Sequence, residues 1–217
     1  FIIISKSGYT LETLSQFSSI IEIFESMNKI YKLSQNCVVI TENKDSPLKR
    51  IADKLSCKVL YHETEIGGRF SVFSNVGLFP SYIAGVNILK IREGAWDVIS
   101  KVKNNSYKEH LIGAMITKYL QLEKNINLNV LMTYTDALHF FGQWYLQLLA
   151  ESIGKKGKGI TPIHSRGTTD QHSQLQIYLD GPRDKYFSII TNDYRDRGMK
   201  MNEGVLSKND VNFLSGK

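Results

Sequence analysis

The stretch FIIISKSGYTLETLSQF changes its hydrophobic period within a few residues, and that change constrains the fold more than any other feature of the chain. Residues 1–4 are continuously apolar, as suits a buried strand, whereas Leu11, Leu14, Phe17, Ile20, Ile21 and Phe24 recur at helical spacing. Ser5, Lys6, Ser7, Gly8 and Thr10 stand between the two patterns. The order is therefore strand, hydroxyl-rich turn, helix. CVVI at 37–40 reads as a second strand, Ser46 and Pro47 as the N-cap and first residue of a helix through LKRIADKL, and KVLY at 58–61 as a third strand. Strands alternating with helices predict the α/β class, with a parallel sheet covered on both faces.

Further along, a helical region is expected from about Val76 to Leu89, after which the composition turns polar at KNNSY, residues 103–107. We read residues 1–100 as a first domain, 101–125 as a connecting segment carrying a helix from Glu109 to Leu122, and 126–217 as a second domain. NVLMTYTDALHFFGQWYLQLLAES then repeats the opening pattern. It has an apolar strand at 129–133, a Thr/Asp turn, and a helix with Leu138, Phe141, Tyr145 and Leu148 on one face, a weak internal repeat. ITPI, a helix beginning near Asp170 and KYFSII at 185–190 extend this second α/β unit. The tail from 192 to 217 is polar and lacks a strong closing element, and the chain starts on Phe1 rather than Met. Both features lead us to expect further segments on either side.

With 217 residues and 42% hydrophobic content, the chain can bury one substantial core or two modest ones. No apolar run approaches the roughly 20 residues that a membrane span needs, and FIII is too short for the apolar part of a signal peptide, so a cytoplasmic protein is expected. Cys37 and Cys57 lie outside any CxxC spacing and suit a reducing compartment. A formal charge of +6, from 27 Lys and Arg against 21 Asp and Glu, is compatible with nucleic acid, an anionic membrane face or small phosphorylated ligands. No basic stripe interleaved with aromatics and no nucleic-acid motif is present, so neither nucleic acid nor membrane is an expected partner. His62, His110, His139 and His164 show no metal-ligand spacing, and no metal is expected. GIT, GGR and GKKGKG all miss the spacing of a P-loop or dinucleotide fingerprint.

Four stretches carry chemically useful groups. In an α/β unit the loop after a strand lies at the carboxyl end of the sheet, facing the free N–H groups and positive dipole end of the next helix. Ser5, Ser7 and Thr10 could add hydroxyl donors for an anion there, while Gly8 lets the backbone approach closely. The same turn could instead serve only as a helix cap, although Thr13 stands where a capping box has Glu. In EIGGRFSVFSNVGLFP, two adjacent glycines permit positive φ and close approach beside Arg69; the bland reading is a tight turn with a surface arginine. Glu151, ending an apolar helix beside a glycine-rich loop, could transfer protons or be merely solvated. His172, just inside a helix start, is an acid/base or a structural histidine.

Taken in order, SKSGYTLET, GGRFSVFSNVGLFP, AESIGKKGKG and TTDQHSQLQIYLDGP resemble the glucose-6-phosphate isomerase family in its shorter bacterial form. The resemblance implies two sugar-isomerase (SIS) domains, each a parallel sheet flanked by helices in three layers, the second incomplete. It implies aldose-ketose isomerisation between glucose 6-phosphate and fructose 6-phosphate through a cis-enediolate, without a cofactor, in a cytoplasmic homodimer. By position, Ser5, Lys6, Ser7 and Thr10 match the loop that holds the sugar phosphate. Arg69 matches the arginine that stabilises the enediolate, with Gly68 beside it as a substrate contact. Glu151 matches the base that moves the proton between C2 and C1, and Gln147, one turn earlier, lies in the family's substrate pocket. His172 matches a histidine that assists ring opening from the neighbouring subunit. Two family elements have no match: an upstream glycine-serine loop and a lysine in an FxQxGVExxK-like segment. A non-catalytic SIS sugar-phosphate-binding module and a dual phosphoglucose/phosphomannose isomerase are the alternatives.

Overall fold

The computed structural model describes residues 1–106, 108–193 and 202–208. The chain divides into two compact units, Phe1–Leu120 and Gln121–Lys217. The expectation about the polar tail from 192 onward falls largely outside the described residues.

In the first unit the period change at the start of the chain becomes strand β1 (Ile2–Ile4) and helix α1 (Leu11–Ser26). They are followed by α2 (Ile30–Gln35), β2 (Val38–Thr41), α3 (Pro47–Lys54) and β3 (Lys58–Tyr61). The strands form one parallel sheet in the order β1-β2-β3, with Ile3 opposite Val39 and Val39 opposite Val59. Val39 and Ile40 point to opposite faces of β2 and both are fully buried, so this strand is covered on both sides. Ile3 and Val39 pack with Phe17 of α1, Leu33 of α2 and Leu48 and Ala52 of α3. Full burial of each large side chain contributes roughly 1.5–3 kcal/mol.

Helix α3 starts as its sequence dictates. Ser46 takes an extended backbone, its Oγ accepts from the Lys49 N–H at 3.3 Å, and Pro47 occupies the first helical position. Ser46→Ala is expected to lower stability by about 1 kcal/mol. A lower urea midpoint at unchanged slope would register that loss, and an unchanged midpoint would deny the cap any weight.

The helical region expected over 76–89 is two helices, α4 (Asn75–Ile83) and α5 (Ile88–Lys103), preceded by a 3-10 segment, Gly68–Phe73. The break falls at 84–87, where Gly85 takes a left-handed φ of 79° and Asn87 Oδ1 accepts from the Leu89 and Lys90 N–H groups, each at 3.1 Å. The apolar residues on both sides mask this stop and restart when periodicity alone is counted. Helix α6 (Glu109–Lys124) contains the point at which the chain divides.

The second unit runs β4 (Leu128–Thr133), a short 3-10 turn at Asp136–Leu138, α7 (His139–Ile153), β5 (Thr161–Arg166), α8 (Thr169–Asp180), β6 (Lys185–Ile190) and α9 (Glu203–Lys208). Leu138 thus ends the turn before α7 instead of joining the helical face expected for it. The strands are parallel in the order β5-β4-β6, which puts the second strand-turn-helix on a central strand, whereas β1 lies at an edge of its sheet. Val130, Leu131 and Met132 are buried in β4 together with two polar residues, Asn129 and Thr133. Asn129 accepts from the Tyr145 hydroxyl at 2.7 Å and donates to Ser188 Oγ at 3.0 Å, so its buried amide is paired on both sides.

Candidate functional site

The turn after β1 is held in shape by its own hydroxyls. Ser5 Oγ lies 2.8 Å from Thr10 Oγ1 and accepts from the Gly8 N–H at 3.1 Å, and Ser7 Oγ accepts from the Tyr9 N–H at 3.1 Å. Thr10 stands at the N-cap of α1 with extended backbone, yet its side chain makes no capping bond, because its hydroxyl is engaged with Ser5. The helix start therefore keeps its positive end uncapped by that side chain, which suits an approaching anion.

Gly8 is required here. Its φ of 72° is left-handed, and a Cβ on it would lie 2.2 Å from Ser46 Oγ. Backbone bonds pin the turn to its neighbours: Ser5 N–H to Ile40 O at 3.1 Å, Glu42 N–H to Lys6 O at 3.1 Å, and Leu48 N–H to Gly8 O at 3.2 Å. The buried Thr41 hydroxyl also donates to Lys6 O, at 3.3 Å.

Lys6 joins the loops that follow β1, β2 and β3. Its Nζ donates to Thr64 O at 2.9 Å and pairs with Glu42 Oε1 at 3.3 Å. Glu42 is only 5% exposed, and its other oxygen pairs with Lys44. The hydrogen bond from Lys44, and next that from Lys6, hold this carboxyl below its usual range against the desolvation that would raise it. Glu42 and Thr41 were not among the residues singled out from sequence. Their one signal is position, at the carboxyl end of a central strand.

Through the tie to Thr64, the loop leading to Gly68 and Arg69 is fixed at the same end of the sheet as residues 5–10. Gly68 opens the 3-10 segment, whose turn is closed by Ser71 Oγ donating to Gly68 O at 2.6 Å. The positive φ that the paired glycines permit is not used, since Gly67 is extended at φ −64° and Gly68 is not left-handed. The Arg69 guanidinium stacks over the Phe70 ring at 4.6 Å.

In the second unit, Gln147 and Glu151 lie one turn apart on α7, and Gln147 Nε2 donates to Glu151 Oε1 at 3.0 Å. His172 is exposed in the first turn of α8. Asp170 ties that turn to the end of β5, accepting from the Arg166 N–H at 2.7 Å. Glu151 and His172 are not brought together. The former precedes the loop that enters β5 and the latter follows the strand's exit, so the six residues of β5 separate them, on the order of 17 Å along the strand.

A further polar group packs against the start of α7. His164 Nε2 lies 3.0 Å from Thr133 Oγ1 and its Nδ1 lies 3.2 Å from Gln143 Nε2. Burial, and then the neighbouring His139, push this imidazole below its ordinary value. Among the described residues, no group of three or more His, Cys, Asp or Glu is arranged to hold a metal ion. No described helix is long and apolar enough to cross a membrane.

Two parallel sheets flanked by helices, each with a strand-turn-helix whose turn opens at the carboxyl end of its sheet, define a doubly repeated α/β protein. The sequence family described as Phosphoglucose isomerase matches residues 1–181, and the chain belongs to that family. The glucose-6-phosphate isomerase of Rubrobacter xylanophilus is 37% identical over 216 residues, which are 99% of this chain and 50% of that protein. That of Methanocaldococcus jannaschii is 40% identical over 196 residues, 89% of this chain and 47% of the relative. The chain thus spans about half the length of these relatives. A crystal structure of a hypothetical protein from Thermus thermophilus superposes with a TM-score of 0.76 at 30% identity, covering 87% of this chain and 46% of that one. A glucose-6-phosphate isomerase from Chlamydia trachomatis shares the fold with a TM-score of 0.79 at 21% identity, over 99% of this chain and 44% of its own.

Proposed function

We propose that this protein interconverts glucose 6-phosphate and fructose 6-phosphate in the cytoplasm, acting as a homodimer whose two SIS domains take up residues 1–100 and 126–217, joined by 101–125. Family membership supports the reaction, and the observation that carries the site is the preformed turn of residues 5–10 joined through Lys6 to the loop bearing Arg69. Ser5, Ser7 and Thr10 turn their hydroxyls to the phosphate at the start of α1, with Lys6 beside them and Gly68 contributing backbone near the sugar.

Glu151 takes the C2 proton of the open-chain aldose. The electron pair forms the C1=C2 bond and leaves negative charge on the C1 oxygen. Arg69 offsets that charge, a form of stabilisation that commonly lowers such barriers by several kcal/mol. The O2 hydroxyl proton passes to the O1 oxyanion. The proton held by Glu151 returns to C1 as the C1=C2 bond opens and O2 becomes the ketone oxygen, which leaves Glu151 ionised again. Gln147 holds the carboxylate in place, and no cofactor takes part. His172 assists ring opening. Its separation from Glu151 by the length of β5 supports its serving the site of the other subunit.

Replacing Ser7 and Thr10 together by alanine in the full-length gene product is expected to weaken glucose 6-phosphate binding about ten- to a hundredfold, two charge-assisted hydrogen bonds having been removed. Calorimetric titration checks this. Wild-type affinity in the double variant would remove the turn from the site.

A further inference from the structure

The mechanism above leaves unused a buried carboxylate that touches the phosphate turn. Glu42 is 5% exposed at the carboxyl end of β2 and shares its two oxygens between Lys6, at 3.3 Å, and Lys44. A buried carboxylate needs such partners, but holding the turn in place does not need this one. The turn is already fixed by main-chain bonds and by the Thr41 hydroxyl on Lys6 O, none of which involves the Glu42 side chain. Its effect is on charge. Lys6 is the only cation within the SKSGYT turn, and its ammonium faces Glu42 and Thr64 O.

We infer that Glu42 is an affinity-setting residue that draws the Lys6 ammonium away from the phosphate turn, so that a bare phosphate binds weakly and stable occupancy depends on contacts to the attached sugar. The inference rests on reading residues 5–10 as the phosphate loop. An anion entering the turn competes with a fixed carboxylate for one ammonium and is repelled by that carboxylate as well. Both effects act on the phosphate group and weaken orthophosphate and sugar phosphate alike. Only the sugar phosphate has further groups with which to recover the loss. The site then avoids being filled by orthophosphate when the sugar is absent.

The test is calorimetric titration of the full-length gene product with inorganic phosphate. Glu42→Gln keeps the shape and removes the charge, and it is expected to bind phosphate about tenfold more tightly, the scale of one unit charge removed beside a partly buried pair. With Lys6→Met in the background, the same substitution should gain less than about threefold, the cation it releases being gone. Should Glu42→Gln lower the melting temperature appreciably, Glu42→Ser is read in its place, with tightening again expected. Unchanged or weaker binding in the folded variant overturns the inference, as does a gain that persists in full without Lys6. If the wild type binds phosphate through Ser7 and Thr10 while Glu42→Gln matches it, the inference falls and the phosphate-loop reading stands. If neither protein binds phosphate, both fall.

Discussion

Glu151→Gln in the full-length gene product is expected to lower isomerase turnover by about a thousandfold or more, while glucose 6-phosphate affinity stays within a few-fold of wild type. The substitution is nearly isosteric, and the amide oxygen at position 151 can still accept the bond that Gln147 Nε2 gives the carboxylate at 3.0 Å. Local packing is therefore preserved, and what disappears is the carboxylate proposed to take the C2 proton. The turn proposed to hold the phosphate lies in a different part of the chain, between β1 and α1, so binding through it should be untouched. Such a change appears in kcat and not in KM. Turnover close to wild type would remove Glu151 from the role of base. The same variant tests the origin of His172. Mixed with His172→Ala under conditions that exchange subunits, two inactive proteins should recover about a quarter of wild-type activity, since half of the dimers are mixed and each then has one intact site. No recovery in demonstrably mixed dimers would place both residues in the site of a single subunit.

How far the sequence reached depended on how local each feature is. The switch from a continuous apolar run to helical spacing around Ser5–Thr10 predicted β1 and α1, because both periods are written in consecutive residues. Ser46 and Pro47 marked the start of α3 for the same reason. The break at Gly85–Asn87 was passed over, since Val76–Leu89 is apolar on both sides and hydrophobic spacing does not register a cap. At SKSGYT the structure bears on the capping half of the question, through a contact five residues long: Thr10 is bound to Ser5 and does not cap α1 with its side chain. Glu42 could not have been found by spacing, because its meaning comes from lying beside Lys6, and only the pairing of β1 with β2 brings residues 35 or more positions apart into contact. Likewise, the distance between Glu151 and His172 belongs to the direction of β5 in its sheet, which no count of intervening residues contains.

Gly8→Ala should cost the fold about 2–3 kcal/mol and abolish measurable phosphate binding, which makes it the sharpest test of whether the turn is one structure with two duties. At φ 72° an alanine is strained by about 1 kcal/mol relative to glycine. The added Cβ would also stand 2.2 Å from Ser46 Oγ and 2.6 Å from Ser46 Cβ, and Ser46 is fully buried and caps α3, so it can retreat only by giving up a bond worth about 1 kcal/mol. If the turn moves instead, it loses the Gly8 N–H bond to Ser5 Oγ and the Leu48 N–H bond to Gly8 O, and with them the arrangement of hydroxyls. Either route damages the site. A control keeps the result interpretable: Gly94, within α5, has nothing within 4 Å of the position a Cβ would take, and Gly94→Ala should stabilise by about 0.5–1 kcal/mol. Urea unfolding measures both, and phosphate calorimetry below the transition measures the site. If Gly8→Ala binds phosphate like the wild type, with an unchanged urea midpoint, then the turn neither needs its left-handed residue nor places the anion, and the two duties come apart.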